Sequence, residues 1–235
     1  MHTFWLHVRA PFAAFRGFQA GVYRSTSPVM PPSTAYGLVL NLAGIEMRGP
    51  VEGVTTLIRA GLPRLRIAIG VVKAKAADRA SLYQQLHGYR VGTDEKTKMM
   101  AALTKGAKYQ VVPVRRELLV GYEGLIGVQT PDEDLVGRVS RGLRGELEAR
   151  RYGLPFAGDN NYLFDRIELV GEPPADIVWY ARHHPGDAQV KGTCRLTVGI
   201  DRADNSRTTS FIFAPGETLS EAVWTWTPRE PEPAV

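Results

Sequence analysis

The chain has 235 residues, 44% of them hydrophobic, with a single cysteine, a net charge of +5 and a pI near 9.4. That apolar content is enough for one buried core, so residues 1–228 are expected to form a single domain with a short flexible tail, 229–235, and a largely disordered chain is excluded. One cysteine rules out an internal disulfide, and no apolar run reaches the roughly 20 residues that span a bilayer. The start, MHTFWLHVRAPF, has no basic leader, long apolar run or small-residue cleavage site, so a cytoplasmic protein without membrane contact is expected.

Phe4, Leu6 and Val8 alternate with Trp5, His7 and Arg9, the two-residue period of a half-buried strand, which Pro11 should end or bend. After a Gly-, Ser- and Pro-rich loop, Pro31 and Pro32 favour an extended approach to a helix capped by Ser33 or Thr34. Ala35, Leu38, Val39 and Leu42 then recur at helical spacing, and Gly44 suits the stop. Leu65, Ile67, Ile69 and Val71 alternate with a partly basic set, predicting a second strand.

Between Ala74 and Lys108 the apolar periodicity fades while glycines and charges accumulate, which reads as a long excursion from the core. YQVVPV and ELLVGY follow as two strands, the first at an edge or bulge because Pro113 cannot donate to a ladder. Pro131, Asp132 and Glu133 open a second helix with an apolar stripe of Leu135, Val139, Leu143 and Leu147, weakened by Gly142 and Gly145. From Tyr162 onward the pattern is β: YLFDRIELV, IVWYAR, CRLTVGI, RTTSFIF and AVWTWT. The order strand, helix, strand, late helix and further strands fits an α+β fold, a ferredoxin-like βαββαβ core with an added β region.

Charge is unevenly spread: from Arg59 to Arg116 there are 13 Lys and Arg against 3 acids, leaving +10 there and −5 for the rest. A localised basic stretch favours a nucleic-acid contact. Catalytic signatures are thin. No phosphate-binding glycine fingerprint or nucleophile elbow is present, so neither nucleotide hydrolysis nor triad chemistry is expected. The adjacent pair His183 and His184 precedes Pro185 and reads as a polar turn rather than a ligand set, and Cys194 as a packed strand residue. No cofactor is implied. Metal-free RNA cleavage stays open, since it needs only a base near a 2′-hydroxyl and a cation beside the phosphate. RNA binding needs cations with π faces, and the excursion supplies Tyr83, His87, Tyr89, Arg90, Lys96, Lys98, Lys105, Lys108 and Tyr109. Composition alone would equally describe a solvated loop.

The stretch PVMPPSTAYGLVLNLAG, Pro28 to Gly44, resembles the signature after the first strand in the fifth family of CRISPR-associated (Cas) proteins, the RAMP-type subunits of Cascade. Supporting segments are Phe15-Arg16-Gly17, the Arg115-Arg116-Glu117-Leu118-Leu119 strand and YGLPFAGDNNYLF. Within type I systems the chain is most similar to the DevS-like I-B group. The resemblance implies a ferredoxin-like palm, a protruding β thumb at 74–108, extra C-terminal strands, and a non-catalytic role gripping the 5′ handle of the crRNA. Implied partners are that RNA, the backbone subunit, the large subunit and, through the complex, target DNA in antiviral defence. Implied contacts are Arg16 and Arg24 to phosphate, Ser33, Thr34 and Tyr36 to the handle, and Lys73, Lys75, Lys96, Lys98, Lys105, Lys108, Arg115 and Arg116 along the backbone and thumb. Some members of the family cut precursor RNA with a Tyr, Lys and His set. Here the tyrosine's place falls near Ala43 and the RRELL strand has no Lys-His pair, so an endoribonuclease is the alternative reading.

Overall fold

The structure, a computed structural model, describes residues 1–17, 21–50, 53, 55–90, 98, 109–148 and 151–230, with backbone alone at 87–90 and 109–110. The opening alternation forms β1 (His2–Ala13), which carries on through Pro11 instead of stopping there. Phe4, Leu6, Val8 and Ala10 enter one apolar cluster, and Trp5 enters a second on the opposite face.

The first helix, α1 (Pro32–Leu42), is capped by backbone rather than by Ser33 or Thr34. Pro31 is its N-cap, and the Pro31 carbonyl accepts from the Thr34 and Ala35 N–H groups at 2.9 and 3.0 Å. Pro32 fits the first helical position because its missing N–H would have had no helical partner. The second helix, α2 (Asp134–Arg144), starts with the Asp134 N–H donating to Asp132 Oδ1 at 2.9 Å. It stops before Leu147: Gly145, at φ +75, turns the chain left-handed, so the expected stripe is one turn shorter. Gly142 has a packing reason, since a Cβ there would lie 1.8 Å from the Leu42 carbonyl oxygen. Its helix cost of about 1 kcal/mol is offset by the close crossing of α1 and α2.

Both helices cover one face of a single sheet. β3 (Leu65–Val72), β5 (Tyr109–Thr130) and β6 (Arg166–Val170) join β1 in the order β6-β1-β5-β3, with every neighbouring pair antiparallel. Past β3 come β7 (Ile177–Arg182), β9 (Thr209–Gly216) and β8 (Cys194–Gly199), while β10 (Thr225–Thr227) pairs with Leu65–Ile67. The result is an α+β fold with two α-helices and a ten-stranded sheet among the described residues. Trp5, Trp179 and Trp224 close the far face, with ring centroids 5.6 and 5.5 Å from Trp5. Gly127 makes room for them: a Cβ would fall 2.3 Å from Trp5 Cζ3.

The two strands expected in YQVVPV and ELLVGY are one 22-residue strand. Pro113 and Gly121 look like breaks in sequence, but Gly121 takes φ +69 within the strand and Pro113 stands opposite Gln85. The outer half of β5 pairs with β4 (Asp78–Arg90), so the start of the excursion is a β hairpin arm. Readings that fall on Lys96, Lys105 and Lys108 lie outside the described residues; Lys98 is exposed. His183 and His184 do lead into a turn, where the His184 N–H donates to Asp187 Oδ2 at 2.7 Å.

Candidate nucleic-acid interface

A loop between β1 and α1 is fastened over the outer half of β5. β2 (Tyr23–Arg24) pairs in parallel with Arg115 and Arg116. Glu117 is the fastener: its carboxylate accepts from the Thr26 N–H at 2.9 Å, from Arg79 at 2.9 Å and from the Tyr23 hydroxyl at 3.3 Å. Further along, the Thr26 hydroxyl accepts from the Phe15 N–H at 2.9 Å, and the Met30 N–H donates to the hydroxyl of fully buried Tyr122 at 3.3 Å. These bonds fix where Arg16 and Arg24 emerge.

Opposite that loop, the turn at 157–162 leans on the end of β1. The Ala14 N–H donates to the Ala157 carbonyl at 2.9 Å, and a Cβ on Gly158 would lie 2.3 Å from the Ala14 oxygen, so only glycine permits this approach. The turn delivers Asp159, whose side chain is 8% exposed, between Arg16 at 3.1 Å and Arg116 at 3.7 Å. Desolvation pushes the Asp159 carboxyl up, but bonds from the Asn161 N–H and side-chain amide, with the charges of Arg16 and Arg116, outweigh it and hold it below the usual range.

Arg24 is the register partner of Arg116, so the two side chains leave the same side of the ladder. Arg16 and Arg116 thus share one carboxylate, with Arg24 beside Arg116 on the neighbouring strand. Arg16 Nε and Nη2, Arg24 Nε and Arg116 Nε are buried without a hydrogen-bond acceptor; the Arg16 contact to Asp159 is an ion pair without hydrogen-bond alignment. Buried donors left in that state cost about 1–3 kcal/mol each. An anion with several acceptor oxygens relieves both the charge excess and the missing bonds.

One residue over, Tyr23, Arg115 and Tyr83 stand in a row across β2, β5 and β4. The Arg115 guanidinium lies 5.4 Å from the Tyr23 ring centroid and 5.9 Å from that of Tyr83, which is 77% exposed. Beside this row runs a groove of about 510 Å³ lined by Thr26, Arg79, Arg195 and Ser210, among others. It shares Gly17 and Thr197 with a smaller hollow of about 110 Å³ that holds Arg16, Ser33 and Thr34. The groove and hollow supply cations and hydroxyls, and the Tyr23–Arg115–Tyr83 row, which strand alternation turns to the face opposite Arg116, supplies exposed π faces; these are the types of group that single-stranded RNA uses.

The profile of the CRISPR-associated protein (Cas_Cas5) family matches residues 3–145. The chain belongs to that family. Among solved structures it is similar to a chain of a CRISPR RNA-guided surveillance complex, with a TM-score of 0.56 and 14% identity over 92% of both chains. A crystal structure of a Cas protein matches with a TM-score of 0.48 and 14% identity over 92% of this chain and 94% of that one. No curated protein sequence matches. The shared fold is the one built above, a large antiparallel sheet with two described helices.

Of the residues that the Cas_Cas5 resemblance implied, the fold brings together Arg16, Arg24 and Arg116, with Arg115 next to them and Ser33 and Thr34 by Arg16. Tyr36 is corrected: it is 3% exposed, and its hydroxyl donates to the Pro63 carbonyl at 2.8 Å, so it belongs to the core. Lys73 and Lys75 are exposed but stand elsewhere, paired with Glu217 and with Glu123. Cys194 is a half-buried β8 residue, with burial pushing its thiol up to about 11. Sequence reasoning did not single out Asp159, Glu117, Arg79 or Tyr23. Asp159 had a usable signal, since it sits in the YGLPFAGDNNYLF segment already tied to the family.

Proposed function

We propose that the protein is the non-catalytic RNA-binding subunit that caps the 5′ handle of the guide in a type I CRISPR complex in the cytoplasm. The observation that carries this reading is the pairing of Arg16 and Arg116 on Asp159, with Arg24 beside Arg116, buried guanidinium donors lacking acceptors, and Arg16 lining a polar hollow with Ser33 and Thr34. A phosphodiester fills that need, and the Tyr23–Arg115–Tyr83 row gives flanking bases a stacking surface. In this reading β1, α1, β3, β5, α2 and β6, with their β6-β1-β5-β3 order, are a ferredoxin-like palm, and the β4–β5 hairpin is the thumb. The palm would hold the bent RNA end and join the backbone subunits to the large subunit, while base pairing to the guide reads target DNA.

Grip without cleavage is supported at α1. The family's cleaving tyrosine would fall near Ala43, which is fully buried at the helix C-cap.

The test uses the complex purified with its guide. Replacing Arg24 and Arg116 together by Gln removes both charges while leaving polar side chains, and guide retention should weaken with a shallower dependence of log affinity on log salt, by about 0.7 for each lost phosphate contact to single-stranded RNA. An unchanged slope with full retention sinks the assignment. Incubation with labelled repeat RNA in chelator should leave the RNA intact; a discrete cut would instead make the protein a metal-independent endoribonuclease.

A further inference from the structure

A second cavity, of about 370 Å³, lies between the outer face of α1 and the segment 151–156. Its walls include Leu38, Met47, Leu154 and Phe156, and the exposed side chains there are large and apolar: Leu154 is 68% exposed, Tyr152 63% and Phe156 46%. Apolar surface left in water costs about 25 cal/mol per Å² relative to burial, and gathered around one hollow it marks a place where something docks.

Three details define the occupant. Gly37 lies in the middle of α1, where glycine costs about 1 kcal/mol relative to alanine. Nothing in the fold demands it, because a Cβ there would meet only Met47 Sδ at 3.8 Å. Its effect is to keep the cavity floor open. Asn41, one turn on, donates its Nδ2 to the Tyr152 carbonyl at 2.8 Å, while its Oδ1 is buried with no partner. That oxygen needs a donor. The rim carries two guanidiniums, Arg48 and Arg151, against one carboxylate, Glu46, which Arg48 already holds at 2.8 and 2.9 Å. An apolar floor, a single unpartnered acceptor and a cationic rim fit a peptide segment better than a nucleotide, whose base edge brings several polar atoms and whose phosphate would sit beside Glu46.

We infer that this cavity docks another protein subunit through a short segment that places one large apolar side chain on the Gly37 floor, a donor on Asn41 Oδ1 and carboxylates on the Arg48 and Arg151 rim. The inference rests on the reading that the chain works within a multisubunit complex. Thr34 lines both this cavity and the hollow by Arg16, so the docked subunit would abut the RNA path.

The experiment uses the assembled complex, coexpressed with its guide and the other subunits. A benzophenone amino acid at exposed Leu154 should crosslink to one of those subunits, at a segment with an apolar residue flanked by Asp or Glu. A crosslink to guide RNA, to a second copy of this chain, or to nothing overturns the proposal. Leu154→Asp should lower retention of that subunit about tenfold, the equivalent of about 1.4 kcal/mol, and Leu154→Lys should lower it less because the rim attracts carboxylates. Gly37→Leu should fill the floor and release the subunit while the protein melts no lower than the original. Should Gly37→Leu fail to fold, the two Leu154 variants decide alone, since a side chain this exposed is not part of the core. Full retention of the subunit in Leu154→Asp refutes the docking site. Guide RNA content should stay constant in every variant, whereas failure of the RNA-capping reading would appear as absent guide in the unaltered complex.

Discussion

The two halves of β5 do opposite jobs with one backbone. Its inner half, Leu119–Thr130, lies between β1 and β3, with Leu119, Tyr122, Leu125, Ile126 and Val128 all at or below 2% exposure. Its outer half pairs with β4 and briefly with β2, and sets Arg115 beside Tyr23 and Tyr83 and Arg116 beside Arg24. A strand buried on both faces is held by packing, whereas a hairpin arm is held by one ladder and its side-chain fasteners. In the proposed reading, stability and recognition are therefore separated along the strand, at about Gly121, and substitutions on the two sides should fail in different assays.

The sharpest contrast pairs Ile126→Ala with Tyr83→Ala. Truncating Ile126 opens a cavity in the main core and should lower unfolding free energy by about 2–5 kcal/mol in a urea titration, with guide affinity per folded molecule unchanged. Tyr83, 77% exposed, should leave stability within about 0.5 kcal/mol and weaken guide binding by about 1–3 kcal/mol, the worth of one base stack. If Tyr83→Ala unfolds the protein or leaves affinity untouched, the division of β5 is wrong.

Much of this division was legible in the sequence, and the misses have definite causes. β1, α1, β3 and α2 followed from apolar periodicity because each turns one regularly spaced apolar row to the main core, although β1 and β3 also bury Trp5, Ala68 and Val72 on their other face. The resemblance at Pro28 to Gly44 found the right helix, and the family match over residues 3–145 agrees with it. β5 was cut in two at Arg115-Arg116, where a pair of charges interrupts the apolar pattern, and only the partner strands show that the ladder runs through them. Tyr36 came in with Ser33 and Thr34 through the family motif, yet α1 turns it inward, its hydroxyl donating to the Pro63 carbonyl. The arginine cluster could not be read as a cluster, since Arg16, Arg24, Arg116 and Asp159 meet only through the parallel β2 pairing and the 157–162 turn. Long-range pairing of that kind leaves no local period.

Asp159 sharpens the comparison from the recognition side. As Asp159→Asn, the turn keeps its shape while Arg16 and Arg116 lose their shared counter-charge. The free protein should then be less stable by about 1–3 kcal/mol, and the deficit should shrink when guide RNA supplies phosphate in its place. Thermal melts of both forms, each with and without guide, make the measurement. An equal deficit in the two conditions would mean that RNA phosphate does not occupy the cluster.

The smallest effect concerns acid, and it separates Glu123 on the inner half from Asp159 at the outer half. Desolvation raises the Glu123 carboxyl, but hydrogen bonds and charges from Lys75 and His7, at 2.8 and 2.9 Å, prevail and leave it below the usual value. Asp159 is lowered as well. A carboxyl depressed in the folded state contributes stability above its unfolded pKa and loses it as pH falls through the folded value. Stability should therefore drop as pH descends below the ordinary carboxylate range. Glu123→Gln should flatten part of that drop by no more than about 1 kcal/mol, since its lysine partner is exposed to solvent. Because Glu123 pairs with residues away from the arginine cluster, the same variant should leave guide binding at neutral pH unchanged. A loss of guide binding in Glu123→Gln would join the two halves of β5 into one functional unit and remove the boundary at Gly121.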